Sequence, residues 1–123
     1  MSKKVLVIDD EEDVRKYLVA VLEKNGFETT TASNGREGLE VAREYLPDLV
    51  ILDLMMPNQS GTDFYRNLSK SKTLGDVPVI VVSGLPGRHL AVKEPVAVFD
   101  KPIVPAEFIA AVNRALEEPG EPG

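Results

Sequence analysis

Five residues that could do chemistry occupy similar places in the chain, at or just after the end of a short apolar run. They are three carboxylates, a hydroxyl and an ammonium: Asp9, Asp10, Asp53, Ser83 and Lys101. Carboxylate oxygens favour Mg²⁺, which usually binds through one or two such groups, several waters and a phosphate. A hydroxyl and an ammonium can hydrogen-bond and neutralise a phosphoryl group, so the set suits phosphoryl transfer onto a carboxylate.

Each of these residues also has a simpler structural explanation. Asp9 and Asp10 could cap a following helix and favour its positive end. Asp53 and Ser83 could be ordinary turn residues, and Lys101 could be a solvated strand end. The occurrence of all five in this order, each after an apolar run, favours the chemical interpretation over five separate structural ones.

Strands and helices are predicted to alternate along the chain. The predicted strands are the apolar or β-branched runs at residues 4–9, 27–32, 49–53, 77–83 and 95–101. Apolar residues recur at helical spacing between most of these runs, and again over 105–117. Such alternation predicts an α/β fold with a parallel sheet covered on both faces. Ligands bind at the carboxyl ends of the strands in such sheets, which is where the five residues would gather.

The predicted helices turn their apolar faces toward this sheet. The apolar residues at helical spacing on the first helix, and those expected to lie inward on the last, are Val14, Leu18, Val21, Leu22, Phe108, Ile109, Val112 and Leu116. The three tyrosines are expected to cover the helix–sheet packing: Tyr17, Tyr45 and Tyr65.

Length and composition are those of a single globular domain. The chain has 123 residues, 43% of them hydrophobic and 28% charged, and can bury one core. It has no cysteine, which excludes disulfides and a Cys-based zinc site, and its single histidine cannot by itself build a His-ligated metal site. The net charge of −6 argues against direct binding of nucleic acid through a broad basic surface.

The sequence carries no sign of membrane targeting. No apolar run approaches the length of a membrane span, and the N-terminus lacks the long apolar region of a signal peptide. We therefore expect a cytoplasmic location and no membrane contact. Residues 1–117 are predicted to form one domain, and residues 118–123 a flexible tail or the start of a linker.

Three short stretches resemble one protein family. VIDDEE (7–12), LDLMMPNQSG (52–61) and DKPI (100–103) are similar to the acidic pair, the acceptor stretch and the lysine–proline of receiver domains from two-component response regulators. The resemblance covers nearly the whole chain. It implies a flavodoxin-like (βα)5 three-layer sandwich with a parallel five-stranded sheet of order 2-1-3-4-5. It also implies a signalling domain that assists its own phosphorylation and dephosphorylation, and not an enzyme.

The resemblance assigns a role to each acid. Asp53 would accept a phosphoryl group from a sensor histidine kinase or a phosphotransfer protein. Asp10 would ligate Mg²⁺ directly and Asp9 mostly through water. Asp53 and the backbone carbonyl of Met55 would complete the protein's share of the metal ligands.

The resemblance also assigns the two remaining residues and the partners. Ser83 would turn toward the phosphoryl group, and Lys101 would pair with it. The domain would then switch conformation and alter its contacts with an effector domain or a downstream protein. A homodimer is a further arrangement that the resemblance allows.

The connection between Ser83 and Lys101 departs from the family pattern. It is shorter than usual, and LPGRHLAVKEP (85–95) carries two prolines and a glycine. Proline costs about 3 kcal/mol and glycine about 1 kcal/mol in a helix interior. We therefore expect a shortened or irregular fourth helix, at most one turn around residues 88–93. Val98 stands where the family places its switch aromatic, with Phe99 after it, which puts the usual serine–aromatic coupling in question.

Three other functions fit part of the pattern. A phosphatase of the haloacid dehalogenase type needs a second aspartate two residues after the nucleophile, where this chain has Met55. A flavodoxin needs a Ser/Thr/Gly-rich phosphate loop after the first strand, where DDEED (9–13) would repel phosphate. A pseudo-receiver, which binds partners without phosphorylation, stays open because the segment before Lys101 is altered.

Overall fold

The fold is an open parallel sheet flanked by helices, and the computed structural model describes residues 3–53, 60–83, 97–100 and 104–117. Five strands lie in the order β2-β1-β3-β4-β5, and each pairs with its neighbours in parallel. They are β1 (Lys4–Ile8), β2 (Glu28–Ala32), β3 (Leu49–Asp53), β4 (Val79–Ser83) and β5 (Ala97–Asp100). The predicted flavodoxin-like topology is confirmed.

Four helices lie within the described ranges. They are α1 (Glu12–Lys24), α2 (Gly35–Tyr45), α3 (Ser60–Lys70) and α4 (Pro105–Glu117). None of them combines the length and apolar content that crossing a bilayer requires. The predicted short helix around 88–93 and the predicted tail at 118–123 fall outside the described residues. Val98 and Phe99 belong to β5, but their side chains are outside what the structure describes.

Side chains of the sheet alternate between two buried layers. The layer against α2 and α3 contains Leu6, Ile8, Ala42, Val50, Leu52, Phe64, Leu68 and Val81. The layer against α1 and α4 contains Val5, Val7, Leu18, Leu22, Leu49, Ile51, Ile80, Val82, Phe108 and Val112. Because β1, β3 and β4 are covered on both faces, they read as continuous apolar runs. The core residues predicted on α1 and α4 are confirmed.

The tyrosines divide between the core and the surface. Tyr65 packs against the layer under α2 and α3, and Tyr45 is half-buried. Tyr17 is 42% exposed, so the prediction that it covers the helix–sheet packing is wrong. The reason is the phase of α1, which turns Leu18 and Leu22 toward the sheet and Tyr17 away from it.

Helix α2 begins with a reciprocal set of capping hydrogen bonds. The Glu37 backbone N–H donates to Asn34 Oδ1 (2.8 Å), and the Ser33 N–H and hydroxyl donate to Glu37 Oε1 at 2.7 and 2.8 Å. The two bonds from Ser33 hold the pKa of the Glu37 carboxyl below its ordinary value. The cap thus fixes the start of α2 directly after β2, which ends at Ala32.

Replacing Asn34 with alanine is expected to lower the free energy of unfolding by about 1 kcal/mol, because alanine cannot accept the bond from the helix N–H. Urea denaturation at neutral pH measures the change. Arg36→Ala, an exposed substitution on the same helix, is the control and should stay within about 0.5 kcal/mol of wild type. An unchanged stability for Asn34→Ala would show that the cap does not hold the helix start.

Glu37 gives the same cap a pH dependence. Because its pKa is lowered by folding, its stabilising contribution is present above its ordinary pKa of 4.5 and is lost as the pH falls through the folded value. Glu37→Gln should flatten this part of the stability curve in acid.

Candidate metal centre

The carboxyl ends of β1 and β3 bring three carboxylates together. The two strands pair with Ile8 opposite Leu52, and the next residues along them are Asp9 and Asp53. Asp9, Asp10 and Asp53 each offer one carboxylate oxygen, and these three atoms lie within 4.8 Å of one another. The structure therefore gathers three of the predicted site residues at the predicted edge of the sheet.

The three carboxylates differ in their exposure to solvent. Asp9 and Asp53 are only 1% and 2% exposed, whereas Asp10 is exposed. Negative charges this close repel one another, and a bound cation would offset that repulsion. Mg²⁺ fits a set of oxygen donors with one open side, because it keeps several of its water ligands when bound.

Hydrogen bonds to neighbouring elements hold the turn that carries Asp9 and Asp10. The Asp9 N–H donates to the carbonyl of Ala32 at the end of β2 (3.2 Å). The Glu11 N–H donates to Asp9 Oδ1 (2.9 Å), and Arg15 Nη1 donates to the Asp9 carbonyl oxygen (2.7 Å). Helix α1 follows with Glu11 as its N-cap, so neither aspartate fills the N-cap position that the simpler explanation required.

The other three predicted site residues are only partly covered by the structure or lie outside it. Ser83 is the last residue of β4, which pairs with β3, so its backbone lies at the same edge of the sheet. Its side chain falls outside what the structure describes. Met55 and Lys101 lie outside the described residues, although β5 ends at Asp100, directly before Lys101.

Comparison with known proteins decides the family. Residues 5–113 match the family described as the response regulator receiver domain. The chain belongs to this family. Receiver domains are signalling domains and not classical enzymes. The resemblance found in the sequence motifs is therefore confirmed.

Two curated relatives show how much of a longer protein this receiver domain matches. Protein Rrf1 of Nitratidesulfovibrio vulgaris is 34% identical over 116 residues, which cover 94% of this chain and 84% of that protein. The phosphate regulon transcriptional regulatory protein PhoB of Escherichia coli is 29% identical over 120 residues. That match covers 94% of this chain and 52% of PhoB, so the receiver domain spans about half of the regulator.

Solved structures share the architecture of this receiver domain. The Vibrio cholerae chemotaxis protein CheY4 superposes with a TM-score of 0.86 at 26% identity, over 94% of this chain and 100% of that one. The signal receiver domain of a signal transduction histidine kinase from Syntrophus aciditrophicus gives 0.87 at 25% identity, over 99% and 96%. The flavodoxin-like fold thus extends to proteins of several signalling types.

Nothing in the sequence pattern singles out Arg15 as part of the receiver site. A basic residue one turn into a charged helix is usually a solvated side chain, and α1 also carries exposed Lys16 and Lys24. Arg15 reaches the Asp9 carbonyl only because of the way α1 is rotated about its axis relative to the end of β1. The only available signal was its closeness in sequence to the acidic pair, since its partial burial is seen only in the structure.

Proposed function

We propose that Asp53 is the phosphoacceptor of this receiver domain and that its phosphorylation requires Mg²⁺ bound by the neighbouring acids. The observation that carries the proposal is the cluster of Asp9, Asp10 and Asp53 within 4.8 Å, with Asp53 2% exposed at the end of β3. Strand order supports Asp53 over the other two. Strand β3 lies between β1, which leads into the acidic pair, and β4, which ends in Ser83.

The chain's own oxygens would hold the cation. Asp10 and Asp53 would ligate Mg²⁺ directly, Asp9 mostly through water, and the backbone carbonyl of Met55 would add a fourth protein group. A cation bound there neutralises the charge that develops on the phosphoryl oxygens. The bond from the Glu11 N–H to Asp9 Oδ1 orients the Asp9 carboxylate for this task.

Phosphoryl transfer needs one nucleophile and one leaving group. A carboxylate oxygen of Asp53 attacks phosphorus, and the bond from phosphorus to the donor atom breaks. The leaving group keeps the electron pair of that bond, and the product is an aspartyl phosphate. Ser83 would hydrogen-bond the transferred group and Lys101 would neutralise it, so the domain assists its own phosphorylation and dephosphorylation.

The proposed donor is a sensor histidine kinase or a phosphotransfer protein. Similarity to the receiver domain of a histidine kinase and to a phosphate regulon transcriptional regulator supports a place in two-component signalling. Phosphorylation would bias a two-state equilibrium and so change contacts with an effector domain or a downstream protein. A homodimer and a cytoplasmic location stay predictions.

Intact mass spectrometry of the chain incubated with acetyl phosphate tests the proposal. We expect a phosphoryl-sized mass gain that requires Mg²⁺, disappears with a chelator and is absent in Asp53→Ala. Asp63→Ala removes an exposed carboxylate from α3 and is the matched control, which should be labelled like wild type. A wild type that binds Mg²⁺ but gains no mass would contradict the phosphoacceptor role and favour the pseudo-receiver.

A further inference from the structure

Arg15 ties helix α1 to the strand end that carries two of the acids. Its Nη1 donates to the Asp9 carbonyl oxygen at 2.7 Å in a partly buried contact. Its backbone N–H donates to the Glu11 carbonyl in the first turn of α1 (3.1 Å), so the guanidinium reaches back from the helix to the end of β1. Hydrogen bonds from a charged donor are shorter and stronger than those between neutral groups.

The charge of the same guanidinium also acts on a residue in the first turn of α2. Its charge helps to lower the pKa of the Glu37 carboxyl, although the two hydrogen bonds from Ser33 contribute more. Ser33 follows Ala32, whose carbonyl accepts the Asp9 N–H. Arg15 therefore stands where the end of β1, the end of β2 and the start of α2 converge.

We infer that Arg15 is a positioning residue that fixes the peptide between Asp9 and Asp10 for Mg²⁺ binding, an inference that rests on the proposed function. The carbonyl that Arg15 holds belongs to this peptide, so its orientation sets the direction in which the Asp10 side chain leaves the backbone. Ligands that are held in place before the metal arrives lose less freedom on binding, and groups that orient metal ligands typically contribute 10- to 100-fold to affinity.

If Arg15 acted only through its charge, its removal would have the opposite effect on Mg²⁺ affinity. A cation beside an acidic cluster competes with Mg²⁺, so removing that cation should tighten metal binding. Positioning predicts that removing Arg15 weakens metal binding, because the ligands are no longer held. One Mg²⁺ titration therefore separates the two explanations.

Lys16 provides the matched control for this titration. It lies next to Arg15 on α1 and forms an exposed ion pair with Glu12 at 3.2 Å. Lys16→Ala thus removes the same charge from the same helix, while the Arg15 bond to the Asp9 carbonyl stays. Any effect of net charge should appear in both alanine variants, and any effect of positioning in Arg15→Ala alone.

Calorimetric titration with Mg²⁺ compares wild type, Arg15→Ala, Arg15→Lys and Lys16→Ala. We expect Arg15→Ala to raise the Kd for Mg²⁺ about tenfold. Arg15→Lys keeps the charge and one donor and should recover part of the loss, whereas Lys16→Ala should match wild type or bind slightly tighter. At saturating Mg²⁺, the rate of labelling by acetyl phosphate in Arg15→Ala should return close to that of wild type.

The outcomes separate this inference from the proposed function. A wild type that binds Mg²⁺ and an Arg15→Ala variant with an equal or lower Kd would overturn the positioning role alone. A wild type that binds no Mg²⁺ would overturn the metal site and the positioning role together. If Arg15→Ala does not fold, Arg15→Gln and Arg15→Lys decide, since each keeps a donor and both should raise the Kd less than tenfold but measurably.

Discussion

Replacing Asp53 with asparagine is expected to stabilise the Mg²⁺-free protein and to abolish its stabilisation by Mg²⁺. Two unit charges 4.8 Å apart, the upper limit on the separations of the three ligand atoms, repel by about 3.5 kcal/mol at an effective dielectric constant of about 20. Asparagine keeps the shape of the side chain and removes one of the three charges. Relaxation and bound water reduce the effect, so we expect the free energy of unfolding in a chelator to rise by about 1–2 kcal/mol.

Mg²⁺ should then make wild type more stable than Asp53→Asn. A ligand that binds only the folded state at 100 times its Kd stabilises that state by about 2.7 kcal/mol. Wild type should gain this amount and Asp53→Asn should gain little, because the variant has lost one ligand and the charge that attracts the cation. Urea denaturation with and without Mg²⁺ measures both changes.

The exposed carboxylate of α3 again supplies the control. Asp63→Asn also removes one negative charge, from a position ion-paired with Arg66, and should change neither the Mg²⁺-free stability nor the response to Mg²⁺ by more than about 0.5 kcal/mol. An Asp53→Asn variant that is less stable than wild type in chelator, or that gains as much from Mg²⁺, would contradict the account of the acidic cluster.

Replacing Gly38 with alanine is expected to lower the free energy of unfolding by up to about 2 kcal/mol. A Cβ atom at Gly38 would lie 2.6 Å from Ile8 Cδ1, 3.1 Å from Ile8 Cγ1 and 3.5 Å from Phe64 Cδ1. Ile8 and Phe64 are 0% and 1% exposed, so a shift of either side chain must displace its buried neighbours. Overpacking typically costs about 1–3 kcal/mol. The roughly 1 kcal/mol by which alanine favours a helix over glycine offsets part of this cost, so the net loss is up to about 2 kcal/mol.

A double substitution tests that explanation. Ile8→Val removes the Cδ1 atom that the new Cβ would meet first, at a cost of about 0.5–1.5 kcal/mol by itself. In the Ile8→Val background, Gly38→Ala should therefore cost less than it does in wild type, or nothing. Additive effects of the two substitutions would contradict a clash at Ile8. Glu40→Ala, exposed on the same helix, reports the effect of alanine where no clash exists.

The position of Ile8 connects this packing to the site. Ile8 is the last residue of β1 and precedes Asp9. The close packing of α2 at Gly38 therefore contacts the end of β1, the strand that leads into the acidic pair. A sequence shows that a glycine stands in a helical pattern, but it does not show the distance between that helix and the sheet.

The alternation of elements predicts a parallel α/β sheet and the acidic cluster at its edge, and the resemblance to receiver domains implies the strand order. Alternating strands and helices, with an acid after the first and third strands, place those acids at one edge of any parallel sheet in which the strands are neighbours. The pairing of β1 with β3 meets that condition. Asp9 and Asp53 therefore meet at the predicted edge, in the strand order that the resemblance implies.

The start of β4 shows where local chemistry changes a predicted boundary. The apolar run begins at Val77, yet the strand begins at Val79. The Val77 N–H donates to the Leu74 carbonyl in a turn (3.1 Å), and Pro78 has no N–H to give to the ladder. Pro78 still contributes its carbonyl, which accepts from the Val50 N–H (3.1 Å). An apolar run alone does not show which of its N–H groups donate hydrogen bonds to a neighbouring strand.

The contact that Arg15 makes could not be predicted from the sequence, for a geometric reason. Its bond to the Asp9 carbonyl depends on the angle at which α1 leaves the end of β1. That angle follows from packing of Leu18 and Leu22 against the sheet, and not from the spacing of charged residues. The same spacing on a helix rotated by one residue would have left Arg15 in solvent.

The phosphoacceptor role of Asp53 is tested most directly by identifying the residue that carries the phosphoryl group. The chain is phosphorylated by acetyl phosphate in the presence of Mg²⁺ and then reduced with borohydride, which converts an aspartyl phosphate to homoserine. Fragment mass spectrometry finds the converted residue. We expect homoserine at position 53, and none in protein treated with a chelator before acetyl phosphate. Conversion at Asp9 or Asp10 instead, or no conversion in protein that binds Mg²⁺, would contradict that role.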